Sequence, residues 1–239
     1  MRIALLEKLL RRLPETLDSF LEIGPGMGDV SNFLAHSFAG VHGDVVDISE
    51  HTVDLVQRRL GDTDGISCFV SDIADIEGSN KYDLVIACEV FEHLKDDDAA
   101  FHTVNNLMRP GGHFLFSVPA FMKKWGPADE YGGHERRYEK NPLQEQFQQH
   151  GFEIMDFWGY GFPVTNLLNP VSRLYYHAKQ REAPLAKQQA SIRSGTERGL
   201  ARKLRFIPMA TLMLPFFFIQ SLVKNQTVGD GFIVLARKK

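Results

Sequence analysis

Short apolar runs alternate with amphipathic stretches from residue 19 onward, and this alternation constrains the fold of the chain most strongly. It is typical of parallel strands joined by crossover helices. We predict strands over residues 19–24, 41–47, 66–71, 82–88 and 113–119, followed by 152–158 and 232–237. The 239 residues therefore predict a doubly wound α/β domain with a mostly parallel sheet.

Apolar residues at helical spacing separate the predicted strands. One such stripe contains Phe101, Val104 and Met108, and the turn residues at 109–112 are expected to end its helix because Pro110 cannot continue it. A later helix is predicted with Asn141 as its N-cap and Pro142 in its first turn.

The first thirteen residues predict an amphipathic helix that lies on the domain, because Ile3, Leu6, Leu10 and Leu13 recur at helical spacing. Charged residues interrupt these leucines, so the stretch lacks the apolar run of a signal peptide. Cys68 and Cys88 both lie in predicted buried strands without metal-ligand spacing. We therefore expect a reduced, cytoplasmic setting.

A long connection separates the last two predicted strands, and we predict a helical insertion or lid over 161–227. Residues 179–205 hold eight Lys or Arg against two acids. Residues 206–223 carry no charge, but Pro208 and Pro215 interrupt them. A membrane span, an interfacial segment and a buried helical lid are the alternatives, and the prolines favour the lid.

The formal net charge of -3 gives no global basic field, so the sequence predicts no nucleic-acid partner. A peripheral membrane contact through the basic and apolar residues of 179–223 is a further expectation. The oligomeric state cannot be inferred from these residues.

The first predicted strand runs into a glycine-rich turn that leads directly into a helix. Its glycines, Gly24, Gly26 and Gly28, follow GxGxG spacing rather than the GxGxxG of a dinucleotide loop. Glycines permit a tight turn and a close approach of backbone to a ligand, although such a turn can also be merely structural. The sequence therefore predicts a ligand site beyond the first strand.

Acids end the next two predicted strands. Asp47 lies twenty-three residues past Gly24, where its carboxylate could accept hydrogen bonds from both hydroxyls of a ribose. Asp72, followed by Ile73, ends the third strand at the level expected for a base. The alternatives are a turn aspartate for Asp47 and a loop acid for Asp72.

Five ordered motifs resemble those of the class I S-adenosylmethionine (SAM) dependent methyltransferases, of the small-molecule and quinone-biosynthesis type. They occupy residues 20–28, 46–49, 71–73, 82–94 and 107–119. The resemblance implies a Rossmann-like seven-stranded sheet of order 3-2-1-4-5-7-6 with the last strand antiparallel. It also implies a SAM-binding domain over 1–160 and 228–239, with the insertion between strands six and seven.

The resemblance implies roles for individual residues. Glu22 and Gly24 would lie by the methionine part of SAM, Asp47 by the ribose, and Asp72 with Ile73 by the adenine. Cys88 and Glu89 would lie near the transferred methyl group. The complete set of expected cofactor-binding residues is Glu22, Gly24, Pro25, Gly26, Gly28, Asp47, Ile48, Asp72, Ile73, Cys88 and Glu89.

Methyl transfer by an in-line SN2 step requires mainly that donor and acceptor be aligned, and a base is needed only where the acceptor carries a proton. The candidate catalytic residues are His93, His134 and Glu89, with Glu92 as a further candidate base. His93 could act as a base, bind substrate or link a neighbouring loop. A metal site from Glu89, Glu92 and His93 is conceivable, but a sole histidine with carboxylates is unselective, and we predict none.

The segment 130–138 lies on the side where substrate would enter and resembles a GHxRRY stretch of small-molecule methyltransferases. Arg136 or Arg137 could grip an acidic substrate group, or the arginines could pair with Asp129 or Glu130 in an ordered loop. The sequence leaves both alternatives open.

The predicted function is SAM-dependent methylation of a small-molecule or lipid-like acceptor. A non-catalytic methyltransferase-like binding protein is one alternative. A nicotinamide-dependent oxidoreductase is another, which the GxGxG spacing disfavours. A nucleic-acid methyltransferase would be expected to carry a proline-rich motif where this chain has residues 88–91.

Overall fold

The computed structural model describes residues 2–61, 63–182, 222–223 and 228–239, and a seven-stranded sheet lies at its centre. The strands are β1 (Ser19–Ile23), β2 (His42–Asp47), β3 (Ile66–Val70), β4 (Tyr82–Cys88), β5 (Met108–Pro119), β6 (Phe152–Tyr160) and β7 (Gly231–Lys238). The helices are α1 (Arg2–Leu10), α2 (Asp29–Ser37), α3 (Glu50–Leu60), α4 (Asp97–Leu107), α5 (Pro127–Gly132), α6 (Lys140–Gln149) and α7 (Val164–Glu182). Each predicted strand is therefore present.

The strand order is β3-β2-β1-β4-β5-β7-β6, which confirms the predicted Rossmann-like topology. The strands β1 to β5 run parallel to their neighbours in this order. β7 is antiparallel to both β5 and β6, between which it lies. The carboxyl ends of the parallel strands therefore share one edge of the sheet, where ligands bind in folds of this kind.

Helices pack on both faces of the sheet. Alternate residues of the central strands therefore point into two separate apolar clusters. In β4, Leu84 and Ile86 belong to one apolar cluster, whereas Val85 and Ala87 belong to the other. The first cluster also takes in the leucines of α1, including Leu9, which is fully buried. The predicted amphipathic helix at the amino end of the chain is confirmed.

Two predicted element boundaries are wrong, and both involve proline. Met108 belongs to β5 and pairs with Tyr82 rather than extending the helical stripe, because α4 already ends at Leu107. Residues 109–112 form the irregular start of β5, where the register shifts. Asn141 is not the N-cap of α6: Glu139 occupies that position, and Pro142 is accommodated in the first turn, where backbone N–H groups have no intrahelical partner.

The predicted insertion over 161–227 begins as a helix, α7, within the described residues. Residues 183–221 and 224–227 lie outside the described part of the chain, and with them lies almost all of the uncharged segment 206–223. Among the helices that the structure describes, none is long and apolar enough to cross a membrane. The division into a domain and an insertion stays a prediction.

Candidate functional site

The loops that carry the predicted site residues meet at the carboxyl edge of the sheet. Gly24 donates its backbone N–H to Val46 O at 2.9 Å, and Ser71 donates its own to Asp47 O at 3.1 Å. These bonds extend the ladders β1-β2 and β2-β3 past the strand ends, so the loops after these strands lie side by side. The geometry brings the glycine turn, Asp47 and the loop with Asp72 to one edge.

The glycine turn after β1 needs glycine for its backbone conformation. Gly24, Gly26 and Gly28 have φ angles of +65°, +55° and +71°, in the left-handed region that favours glycine. A Cβ on Gly24 would lie 2.5 Å from Cγ2 of Val90, in the loop after β4. Gly28 is the N-cap of α2, and Pro25 is buried between these glycines. The turn therefore follows β1 closely and packs against the neighbouring loop.

Glu22 is buried beneath this turn, with 3% of its surface exposed. Its carboxylate accepts hydrogen bonds from the backbone N–H and the hydroxyl of Ser31 in α2. Burial raises the pKa of Glu22 to about 7, although the bonds from Ser31 oppose the shift. The residue thus ties β1 to α2. Its predicted place beside the methionine part of SAM stays a prediction.

Asp47 ends β2 as a half-buried carboxylate. Its Oδ1 accepts the backbone N–H of Ser49 at 2.8 Å, and desolvation by burial raises its pKa despite this bond. The next residue, Ile48, is 40% exposed at the same edge. The pair therefore presents a carboxylate and an apolar side chain next to the glycine turn.

Asp72 and Ile73 follow β3 and have different surroundings. Asp72 is exposed, and its Oδ1 caps the short 3-10 turn Ile73–Asp75 by accepting the N–H of Ala74 at 3.0 Å. Ile73 is 7% exposed and packs in the apolar core. Asp72 thus lies at the predicted edge while also serving as a turn cap, and most of Ile73 faces inward.

Glu89 follows β4 with a φ of +59°, an uncommon conformation for a residue with a side chain. Its Oε1 accepts hydrogen bonds from the hydroxyl of Ser117 on β5 at 2.9 Å and that of Tyr160 on β6 at 2.8 Å. Cys88, the last residue of β4, is a partly buried cysteine that is not in a disulfide. Hydroxyl groups from two strands therefore hold the carboxylate of Glu89, which the family resemblance predicts, with Cys88, to lie near the transferred methyl group.

Sequence reasoning missed Ser117 and Tyr160. Ser117 is a fully buried hydroxyl within an apolar stretch of β5, which was a usable signal because a buried hydroxyl needs a partner. Tyr160 lies just past the predicted end of its strand, and its ring occupies the space that a Cβ on Gly231 would fill. The pairing of Glu89 with these residues depends on the sheet order and has no local signal.

Glu92, His93 and His134 form a partly buried cluster beside this edge. Their possible ligand atoms lie within 4.8 Å of one another, so the three could hold a metal ion. The rings of His93 and His134 meet edge to face with centroids 4.8 Å apart. Burial, followed by the neighbouring His134, lowers the pKa of His93 to about 4, while a hydrogen bond with the backbone of Gly133 opposes the shift. His93 is therefore a neutral imidazole at pH 7.

His134 is oriented by Asp129, whose carboxylate lies 3.0 Å from its Nδ1. Asp129 is 1% exposed and also accepts a hydrogen bond from Nε of Arg137 at 2.7 Å. Burial alone would raise the pKa of Asp129, but the bonds from His134 and Arg137 lower it overall. A buried charged residue thus supports one of the two histidines.

The arginines of the segment 130–138 are both held by acids. Arg137, whose side chain is 8% exposed, bridges Asp129 and Asp230, the residue before β7. Arg136 pairs with Asp97 at the start of α4 and donates to Lys95 O. Of the two alternatives for this segment, the structure thus shows an ordered loop with paired arginines, in which Asp129 is a partner of Arg137.

Comparison with known proteins identifies the family of this chain. A family model described as a methyltransferase domain matches residues 1–156. Among curated proteins, malonyl-(acyl-carrier protein) O-methyltransferase 2 of Ilyobacter polytropus is 29% identical over 104 residues, 44% of this chain and 40% of that protein. Ubiquinone biosynthesis O-methyltransferase of Photorhabdus laumondii subsp. laumondii is 27% identical over 107 residues, 44% of each chain. The matches thus span less than half of either relative.

A solved structure extends the comparison to the rest of the chain. Phosphoethanolamine N-methyltransferase 2 of Haemonchus contortus, in complex with SAM, superposes with a TM-score of 0.57. The superposition covers 97% of this chain and 51% of that chain at 19% identity. At this identity the likeness shows a shared fold.

Proposed function

This chain belongs to the class I SAM-dependent methyltransferases, and from that premise we propose that it methylates an oxygen atom of a small-molecule or lipid-like acceptor. One observation carries the assignment of the SAM site. The glycine turn after β1 and the acids that follow β2 and β3 meet at one edge of a sheet with the order β3-β2-β1-β4-β5-β7-β6. In doubly wound folds this edge is where a nucleoside binds.

The residues at this edge fit the parts of SAM. The half-buried carboxylate of Asp47 is a bidentate acceptor suited to a ribose diol, and the exposed face of Ile48 is suited to a flat base. Gly24 and Gly26 bring backbone rather than side chain to the ligand side of the turn. We assign these four residues to the cofactor, with Glu22, Pro25, Gly28, Asp72, Ile73 and Cys88 supporting the same loops.

When bound, SAM supplies a methyl group on a positively charged sulfur that is already an activated leaving group. The chain's own residues then have mainly to orient the acceptor and exclude water. Glu89, fixed by Ser117 and Tyr160, is the proposed anchor for the acceptor. His93 and His134, whose rings meet edge to face, are the proposed groups that accept the proton of an acceptor hydroxyl, and Asp129 orients His134.

The names of the curated relatives support an oxygen acceptor, because both proteins described above are O-methyltransferases. Their names, which specify malonyl-(acyl-carrier protein) and ubiquinone biosynthesis, support a small or lipid-like molecule as the acceptor. Peripheral membrane contact through 179–223 and a cytoplasmic setting belong to the same proposal, and the basic composition of 179–205 supports the contact.

Calorimetric titration with SAM tests the cofactor assignment. We expect Asp47→Ala to weaken binding by about 1.5 to 3 kcal/mol, the range for a hydrogen bond to a charged group. Asp54→Ala, which removes an exposed acid from α3, is the matched control and should bind SAM like the parent. Equal affinity of the Asp47 variant and the parent would contradict the assignment, as would tight binding of NAD in place of SAM.

Transfer of isotope-labelled methyl groups tests the reaction. The purified chain is incubated with labelled SAM and a panel of phenols, carboxylic acids and amines, some with long apolar tails. We expect label in products of the oxygen acceptors and little in the amines. A chain that binds SAM and labels amines alone would overturn the proposed acceptor atom while leaving the family intact.

A further inference from the structure

Three side chains that can bind a metal ion meet from two separate segments. Glu92 and His93 belong to the 3-10 turn Phe91–His93 after β4, and His134 follows α5. Glu92 O accepts the backbone N–H of Glu135 at 2.7 Å, and this bond joins the two segments. One possible ligand atom from each of the three side chains lies within 4.8 Å of the other two. We call Glu92, His93 and His134 the histidine cluster.

His134 offers its Nε2 to the histidine cluster. Its Nδ1 lies 3.0 Å from a carboxylate oxygen of Asp129, and a carboxylate only accepts, so the hydrogen of the neutral ring is on Nδ1. Nε2 therefore carries a lone pair. It packs against Gly132, where a Cβ would lie 2.9 Å from it. A carboxylate that fixes the tautomer and the orientation of a histidine in this way is the usual support of a metal ligand.

His93 offers its Nδ1 to the same cluster. This atom is buried and has no hydrogen-bond partner among the residues that the structure describes. The ring makes its hydrogen bond to the backbone of Gly133, and a neutral imidazole has only one N–H to donate, so Nδ1 carries a lone pair. A polar atom that is buried without a partner costs about 1 to 3 kcal/mol, so a bound group is expected here.

Glu92 supplies a carboxylate from the interior of the protein. Its side chain is fully buried, and buried carboxylates are normally paired or coordinate a metal. The nearby carboxylates of Glu89 and Glu135 also act on the charge of His93, so the surroundings of the cluster favour a cation. A water molecule has only two hydrogens to donate, whereas a metal ion accepts electron pairs from all three side chains.

We propose that Glu92, His93 and His134 bind a divalent transition-metal ion of the Zn²⁺ class. Two imidazoles and one carboxylate are a known set of three protein ligands for zinc, with a fourth position left open. Neighbouring ligands of a tetrahedral zinc ion lie about 3.4 Å apart, because each is about 2.1 Å from the ion. Small side-chain rotations would therefore close the cluster around it. Mg²⁺ and Ca²⁺ prefer oxygen ligands, so the two imidazoles disfavour them.

The sequence offers only one histidine beside the carboxylates of residues 89–93, and for that reason no metal site was predicted. The fold adds His134 from another segment, whereas hydroxyls of Ser117 and Tyr160 hold the carboxylate of Glu89. The inference goes beyond the proposed function, since ion binding requires neither SAM nor an acceptor. A ring nitrogen that binds an ion cannot also accept a proton, so the metal-loaded protein would lose the proton transfer proposed for the two histidines.

Titration of the chelator-treated full chain with Zn²⁺ tests the proposal. We expect calorimetry to give about one ion per chain, and zinc-edge X-ray absorption to show imidazole ligands at about 2.0 to 2.1 Å. Asp129→Asn, which disturbs only the support of His134, should weaken Zn²⁺ binding about tenfold to a hundredfold. His134→Gln and Glu92→Gln each remove a ligand and should weaken it by at least about a hundredfold.

His51→Gln, which removes an exposed histidine of α3, is the matched control and should bind Zn²⁺ like the parent. Calorimetry with SAM on the same samples shows that each variant is folded, and His134→Gln, at a side chain that is 17% exposed, is expected to keep its SAM affinity. Zn²⁺ binding by a chain that does not bind SAM would support this inference while refuting the cofactor assignment. A parent that binds no Zn²⁺, or that binds Mg²⁺ more tightly, would overturn the inference. So would Zn²⁺ binding that is unchanged in His134→Gln.

Discussion

Glu22 illustrates how a single side chain couples the fold to pH. Burial raises its pKa to about 7 from an ordinary value of 4.5. Between these two values the folded protein keeps a proton that the unfolded chain has already released. The free energy of unfolding therefore contains a contribution that falls as pH rises through this window and stays low above it.

We expect the free energy of unfolding of Glu22→Gln, minus that of the parent, to increase by about 3 kcal/mol as pH rises from about 4.5 to 8. The measurement is urea unfolding of both proteins at the two pH values. The comparison with the parent is essential, because the lowered pKa of His93 makes stability fall as pH drops through 6.5 toward 4 and so opposes the Glu22 slope. Glu50→Gln, at an exposed position on α3, is the control. A stability difference that is the same at both pH values would contradict the assignment.

Alanine substitutions at Gly24 and Gly40 separate two contributions to the loss of stability, namely backbone strain and steric overlap of the new Cβ. Both have φ angles in the left-handed region, +65° and +73°. A Cβ on Gly40 would meet nothing within 4 Å, whereas one on Gly24 would overlap Val90. We expect Gly40→Ala to cost about 1 kcal/mol and Gly24→Ala about 3 kcal/mol in the free energy of unfolding. Equal costs in chemical denaturation would show that the loops after β1 and β4 are not packed together.

At the scale of elements, the ends of three strands cooperate in placing one carboxylate. Glu89 follows β4, Ser117 belongs to β5 and Tyr160 ends β6. The positive φ of Glu89 directs its side chain toward these hydroxyls at some conformational cost. The acceptor side of the proposed site therefore depends on the relative position of three strands rather than on one loop.

Removing either hydroxyl should impair turnover while sparing cofactor binding. We expect Tyr160→Phe and Ser117→Ala each to lower kcat about tenfold, equivalent to one lost hydrogen bond to a charged group, with the Kd for SAM unchanged. The double variant should lose less than the product of the two single effects, because both act through Glu89. Fully multiplicative losses, or an equal loss of SAM affinity, would contradict this positioning role.

The elements themselves were largely predictable, because strands that are buried on both faces are continuous apolar runs and the helices between them show a clear apolar stripe. The helix ends that failed, at Met108 and Asn141, lie close to prolines and miss the observed ends by one and two residues. The predicted strand-end residues reached one edge because the topology requires it. The hydrogen bonds from Ser117 and Tyr160 to Glu89 could not be predicted, since they join strands that are distant in sequence.

At the scale of the whole molecule, ligand binding should appear as thermal stability. A ligand that binds only the folded state stabilises it by about 2.7 kcal/mol at a concentration one hundred times its Kd. For a chain of 239 residues this corresponds to a rise in Tm of about 5 to 10 °C. We expect this rise with SAM and none with NAD in scanning calorimetry. A rise of the same size in Asp47→Ala at equal SAM concentration would argue against a site at the carboxyl edge.

The position of β7 between β5 and β6 has a consequence for synthesis on the ribosome. β6 ends at Tyr160, and the strand that links it to the rest of the sheet begins at Gly231. About 70 more residues must be translated before that link can form, a wait of about 4 to 14 s at ordinary elongation rates. During this interval a nascent strand with apolar side chains is held without its neighbour, so chaperones that shield such segments have a defined window in which to act.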